Sequence, residues 1–298
     1  MRLNRDMHPT MSDLEWLATR PNESQARGRR AGRISGSILV ALAGLLAATS
    51  ALSAPKVALT TERPDVVLTT FASVDATIAG QWDFPTHTPA PLIVLIPGGG
   101  RLDRNGWTPG MGEDSNTGIY AQLTKQLVAS GFAVFRYDKP GAGRSSPGRY
   151  ATERSNALEA YTHAVQHARV DPDRVFLLGH GLGTDTIAAI YPRFAAVRAP
   201  AGVVLLDNSV GETDSLRISA PAIIVNPAAD PDDRLQYGQF VAEARQRAEN
   251  GSLPTKLVLL ENAERGLLAQ RLEGEQTVYS LDSRATDAVV RWLMERRG

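Results

Sequence analysis

The most explicit chemical suggestion in this sequence is the stretch Gly179-His180-Gly181-Leu182-Gly183. It follows a short apolar run, Val175 to Leu178, and precedes small, helix-compatible residues from Thr184 to Ile190. Strand, glycine-rich turn, helix is the context in which G-x-S-x-G lifts a serine hydroxyl from a sharp turn to attack a carbonyl carbon. The outer glycines are needed because the strand and helix backbones cross too closely for a Cβ. Here the central position is Gly181, so the frame is present and the Oγ is absent. Such chemistry also needs a base within hydrogen-bond reach of the nucleophile. The five histidines are His8, His87, His163, His167 and His180, and none lies after His180.

Other residues offer chemistry of their own. His180 abuts Gly181 and is the obvious alternative catalyst. His163 and His167 stand one helical turn apart, a spacing that can hold a metal. No third ligand is signalled, so a solvated helix face is expected there and no metal or cofactor. Ser145 and Ser146 end a glycine-rich turn, either as substitute nucleophiles or, more simply, as residues that fix that turn. Trp107 and Tyr137 would line a pocket or pack in the core. With no cysteine in the chain, disulfides, thiolate catalysis, cysteine-ligated zinc and a lipoprotein anchor are excluded.

The elements that must position these residues are legible from patterning. Asp65 to Ala72 and Ala76 to Phe84 read as antiparallel edge strands, and Leu92 to Ile96 as a short apolar strand ending in Pro97-Gly98-Gly99-Gly100. Ile119 to Ser130 has helical spacing and stops at Gly131. Then come a strand (Phe132 to Tyr137), a helix (Thr152 to Ala168), the Gly179 turn with a helix to Phe194, and strands over Gly202 to Leu206 and Ala222 to Val225. A helix (Arg234 to Asn250), a strand (Lys256 to Leu260) and a final helix (Ser283 to Arg297) complete the chain. This alternation predicts an α/β protein with a mostly parallel sheet covered on both faces.

Residues 1–33 carry seven arginines against four acids, net +3, directly before the uncharged run Ile34 to Leu52. The apolar centre of that run, Ile38 to Ala48, has the length of a signal-peptide core, and Ala51 and Ser53 supply a small-residue cleavage pattern. The full 19 residues also suffice to span a bilayer. Two arrangements follow: export with cleavage, or an uncleaved anchor with the arginine arm in the cytoplasm. The twin Arg29-Arg30 is compatible with twin-arginine export. The expected organisation is an arm plus signal or anchor over 1–54 and one folded domain over 55–298. The 32 basic and 32 acidic residues balance, which gives no reason to expect a nucleic-acid partner.

Three motifs carry a resemblance to a known family. They are Pro97-Gly98-Gly99-Gly100-Arg101-Leu102-Asp103-Arg104, Arg136-Tyr137-Asp138-Lys139-Pro140-Gly141-Ala142-Gly143-Arg144-Ser145, and Asp171-Pro172-Asp173-Arg174. In this order and spacing they resemble the α/β-hydrolase superfamily and, within it, a branch of bacterial serine esterases, over roughly residues 75–195. The resemblance implies the α/β-hydrolase fold and a triad in the order serine, acid, histidine. The serine position is Gly181. The acid position is matched best by Asp230, with Asp207 second. The histidine should lie in Glu261 to Gly266, where Arg265 is the nearest match. Arginine stays protonated and cannot act as base. The backbone N–H groups of Leu182 and of Gly99 or Gly100 would remain as oxyanion donors, since they depend on loop shape alone. The short link Val210 to Ala220 implies a reduced or absent cap. The expectation is an esterase-like protein without serine catalysis, acting as a binding or scaffold protein for a small carboxylate or ester. The alternative is an active hydrolase using Asp230 or Asp207.

Overall fold

The computed structural model describes residues 65–106, 118–149, 152–228, 235–248, 253–273 and 276–297. The N-terminal arm and the run 34–52, on which export or anchoring was argued, lie outside the described residues, as do Trp107 and Asp230.

Two antiparallel strands, β1 (Asp65–Ala72) and β2 (Thr77–Phe84), lead into β3 (Ala90–Ile96). From there strands and helices alternate: α1 (Ile119–Ala129), β4 (Ala133–Tyr137), α2 (Glu153–Val165), β5 (Val170–His180), α3 (Leu182–Val197) and β6 (Gly202–Leu206). There follow α4 (Glu212–Ser215), β7 (Ala222–Pro227), α5 (Leu235–Gln246), β8 (Thr255–Leu260), a hairpin of β9 (Leu268–Glu273) and β10 (Gln276–Leu281), and α6 (Ser283–Met294). Among the described residues eight strands form one sheet in the order β1-β2-β4-β3-β5-β6-β7-β8, parallel from β4 to β8. The inner strands are apolar along their length because both faces are covered, as parallel strands require.

The side chains of α2, α3 and α5 share one core cluster with alternate residues of the strands. Those of α1 and α6, with Trp292 fully buried, fill the other face. Helix α3 begins directly at Leu182 and runs on to Val197, past the expected end at Phe194. It contains Pro192, and the preceding turn bends at Ile190 (φ −121°, ψ 15°) because proline cannot complete the ladder there.

Two expectations are corrected. The segment between β8 and α6, left without structure by the sequence pattern, holds the β9–β10 hairpin, which packs against α1. His163 and His167 do not lie on a solvated face. His163 stacks on Phe71 (5.2 Å) and His167, two residues past the end of α2, leans on Trp82 and Phe84 (4.5 and 4.9 Å), so the two rings seat α2 and the turn after it on β1 and β2. Burial lowers the pKa of both imidazoles. The link between β6 and β7 contains only the four-residue α4. It is fastened by the fully buried Arg245 of α5, whose guanidinium donates to the carbonyls of Ser215 (2.8 Å), Ile218 (2.6 Å) and Ala220 (2.8 Å).

Candidate functional site

The turn between β5 and α3 stands at the carboxyl end of the parallel strands, where open α/β sheets place their ligands. At its apex Gly181 has φ 50° and ψ −123°, a conformation that side-chain-bearing residues adopt only under strain. The flanking glycines are required by contact. A Cβ on Gly183 would sit 2.3 Å from the Ile96 carbonyl oxygen and 2.8 Å from that of Pro97. One on Gly179 would meet Gly183 and Thr184 backbone atoms at 2.9 Å. The Gly181 N–H donates to the Leu206 carbonyl (2.9 Å). Its own carbonyl accepts from the Thr184 N–H (2.9 Å) and hydroxyl (2.7 Å), with Ser209 Oγ 3.0 Å away and in contact with the Asp185 carboxylate. The turn is thus tied to the ends of β5, β6 and α3 at once.

His180 is engaged through both ring nitrogens. Nε2–H donates to the Gly266 carbonyl (2.8 Å), which leaves Nδ1 to accept from the Tyr120 hydroxyl (3.1 Å). The Tyr120 oxygen in turn accepts from the Gly98 N–H (3.0 Å). Burial drives the Tyr120 pKa far above its ordinary value, so the hydroxyl remains a donor. Gly98 is held from its other side as well, since the buried Lys139 ammonium donates to the Gly98 carbonyl and pairs with Glu153. Desolvation lowers the Lys139 pKa, and the Glu153 carboxylate opposes that shift. The next residue, Gly99, faces Leu182: a Cβ there would lie 3.1 Å from the leucine Cδ1. The loop after β3 therefore passes directly over the start of α3.

The motif residues that look chemical are mostly framework. Asp138, fully buried, accepts from Arg104 N–H and Nε (both 2.8 Å) and from the Arg144 N–H (2.7 Å). Arg136 pairs with Asp83 (2.8 Å) and donates to Asn105 Oδ1 (2.8 Å). Ser145 donates to the Asp138 carbonyl (2.8 Å) and accepts from the Ala79 N–H (2.9 Å), and Ser146 Oγ accepts from the Thr77 N–H (2.8 Å). Both serines fix the turn, as the simpler reading had it. Tyr137 packs in the core. Asp171 and Arg174 close a local turn (2.7 Å) where β5 slips register against β3.

Asp207 ends β6 with φ 47° and is half-buried, its N–H donating to the Val225 carbonyl (2.9 Å). Arg265, also half-buried, opens a 3-10 turn (Arg265–Leu267) next to Gly266, whose carbonyl reaches His180. The loop expected to carry the base thus does arrive at the β5–α3 turn. Sequence reasoning missed Tyr120, Lys139, Glu153 and Ser209. Lys139 stood inside a recognised motif and was the one with a usable signal.

Comparison with known proteins agrees with this geometry. A family model for Serine aminopeptidase, S33, matches residues 107–249. No curated protein sequence matches the chain. Similar solved structures include a putative hydrolase from Agrobacterium vitis S4 (17% identity, TM-score 0.54, covering 80% of this chain and 100% of that one). Est1E from Butyrivibrio proteoclasticus, with ferulic acid bound, is 14% identical with a TM-score of 0.57, over 76% and 98% of the two chains. A dienelactone hydrolase-like promiscuous phosphotriesterase from metagenomic libraries gives 17%, 0.55, 78% and 99%. The protein has the α/β-hydrolase fold. On an α/β-hydrolase sheet, the β5–α3 turn, the end of β6, the segment after β7 and the segment after β8 converge at one end. Of these, the positions after β7 that include Asp230 lie outside the described residues.

Proposed function

We propose that this protein is an α/β-hydrolase-fold protein without serine catalysis that binds a small carboxylate or ester at the end of its sheet. Gly181 stands in the nucleophile position, and Asp230 and Arg265 stand in the acid and base positions. The observation that carries this reading is the combination of an intact turn with no reactive atoms on it. Gly181 offers no Oγ, no histidine follows His180 in the sequence, and His180 already spends both nitrogens on Tyr120 and Gly266. What persists is the supporting scaffold. Gly98 is held through its N–H by Tyr120 and through its carbonyl by Lys139, which keeps the following Gly99 and Gly100 N–H groups in a fixed loop beside Leu182. Preorganised N–H groups of this kind bind an oxyanion with no side-chain participation. The domain spans 55–298, with the arginine arm and the run Ile34 to Leu52 directing it across, or anchoring it in, the cytoplasmic membrane.

A second reading has one observation in its favour. Asp207 holds a left-handed backbone at the end of β6, and such strain gathers at functional sites. In that reading Asp207, or Asp230, activates a water against a bound ester. Turnover of a short-chain chromogenic ester by wild type, Gly181→Ser, Arg265→His and the double variant separates the two. The non-catalytic reading expects no turnover from wild type or either single variant, since triad members act as a unit, and measurable turnover only from the double. Wild-type turnover abolished by Asp207→Asn or Asp230→Asn would reverse the assignment.

A further inference from the structure

A cavity of about 240 Å³ opens between the loop after β3, the loop after β4 and the start of α2. Its walls include Gly100, Arg101, Lys139, Gly141, Arg149 and Glu153. That volume is below the range of pockets for drug-sized ligands, and corresponds to a small ion with part of its hydration.

The charge in this cavity is unbalanced. Arg101, Lys139 and Arg149 contribute three cations. Glu153 is committed to Lys139, and Asp75, behind the wall, takes the Arg149 N–H (2.9 Å) and Nε (3.1 Å). Counting Asp75, three cations face two carboxylates among the described residues, a surplus of one positive charge. Lys139 is buried and paired with Glu153, so the surplus charge is carried by the arginines. Arg101 and Arg149 are both exposed at the mouth. The wall is also rigid. The Gly141 N–H donates to the Ser146 carbonyl (3.0 Å), the Ala142 N–H to the Lys139 carbonyl (2.9 Å), and Ser146 Oγ anchors the turn to β2. A rigid concave wall with surplus cationic charge is preorganised for an anion, and guanidinium groups suit planar or tetrahedral oxyanions.

We propose that this cavity binds a small oxyanion, a phosphate or a short carboxylate, between the guanidinium groups of Arg101 and Arg149 and above the Lys139 ammonium. The cavity shares Gly100 with the loop that carries the Gly99 N–H, but its charged side chains stand apart from the β5–α3 turn, and its occupation does not depend on whether the protein cleaves esters.

Calorimetric titration of the full-length protein with inorganic phosphate, and separately with acetate, at constant ionic strength tests it. Saturable binding of either ion is expected, and the tighter of the two identifies the oxyanion preferred. Arg101→Ala and Arg149→Gln should each weaken binding by about tenfold, the effect of losing one charge-assisted contact. Both side chains are exposed, so the melting transition of each variant should stay in place. Arg247→Ala, which removes a surface arginine paired with Glu243, should leave binding unchanged. The proposal is overturned if neither ion binds saturably at millimolar concentration. It is equally overturned if Arg247→Ala weakens binding as much as Arg101→Ala, or if the Arg101→Ala, Arg149→Gln double variant binds like wild type.

Discussion

At Gly181 and Gly183 two glycines stand two residues apart for different physical reasons, and they should respond differently to substitution. Gly181 is a conformational requirement: its backbone lies at φ 50°, and a side chain there costs about 1–2 kcal/mol in strain. Gly183 is a steric one, since its Cβ would meet two fixed carbonyl oxygens of β3 and the loop that follows. Gly181→Ser should therefore lower the denaturant midpoint modestly and add little or no ester turnover. Gly183→Ala should lower it considerably more, because backbone cannot yield as a side chain can. Equal midpoints for the two variants would contradict this division. The outer glycines and the glycine at the apex were readable from the sequence because the turn is local. The partners of His180 were not, because Tyr120 and Gly266 come to it from 60 and 86 residues away.

At the scale of single elements, helix α2 and the β6–β7 link make separate predictions. Burial holds the folded-state pKa values of His163 and His167 below the ordinary imidazole value, so folding favours their neutral forms. The sign follows by linkage. The stability they contribute is complete above the unfolded pKa and is lost as pH falls through the lowered folded values. Melting temperature should accordingly drop as pH is taken from 7 toward 5, and His163→Gln with His167→Gln should flatten that slope. A slope unchanged in the double variant would remove the histidines as its cause. In the β6–β7 link, Arg245 serves three buried carbonyls with no carboxylate opposite among the described residues, and desolvation pushes its pKa down to about 10. Arg245→Met keeps much of the volume but leaves those oxygens unpaired. The expected loss is on the order of 3 kcal/mol or more, read by chemical denaturation. Nothing in the linear pattern marked this arginine, because a charge on a helix ordinarily faces water. The β9–β10 hairpin escaped notice for a related reason. Its strands mix Gln270, Arg271 and Glu273 with Leu268 and Leu272, so alternation is weak.

For the molecule as a whole, the sheet order was readable because buried parallel strands are continuous apolar runs separated by helices of ordinary length. The reading that the chain is exported or anchored rests on residues 1–54 alone. Fractionation of the full-length protein should place it with membranes or outside the cytoplasm, and recovery in the soluble cytoplasmic fraction would refute that reading. The Arg104–Asp138 and Arg136–Asp83 pairs join β2, the loop after β3 and β4, and with Gly183 they hold the turn end of the sheet together. Their role has a consequence for mutational tolerance. Selection for folding alone, with no demand for turnover, would still protect Gly179, Gly183, Arg104 and Asp138, while leaving the hydroxyl and the imidazole of a triad free to drift. In a library of variants sorted only for a folded reporter, those four framework positions should be intolerant of exchange and Arg265 permissive. Under selection for folding alone, a sequence would therefore keep most of the signature of the hydrolase fold.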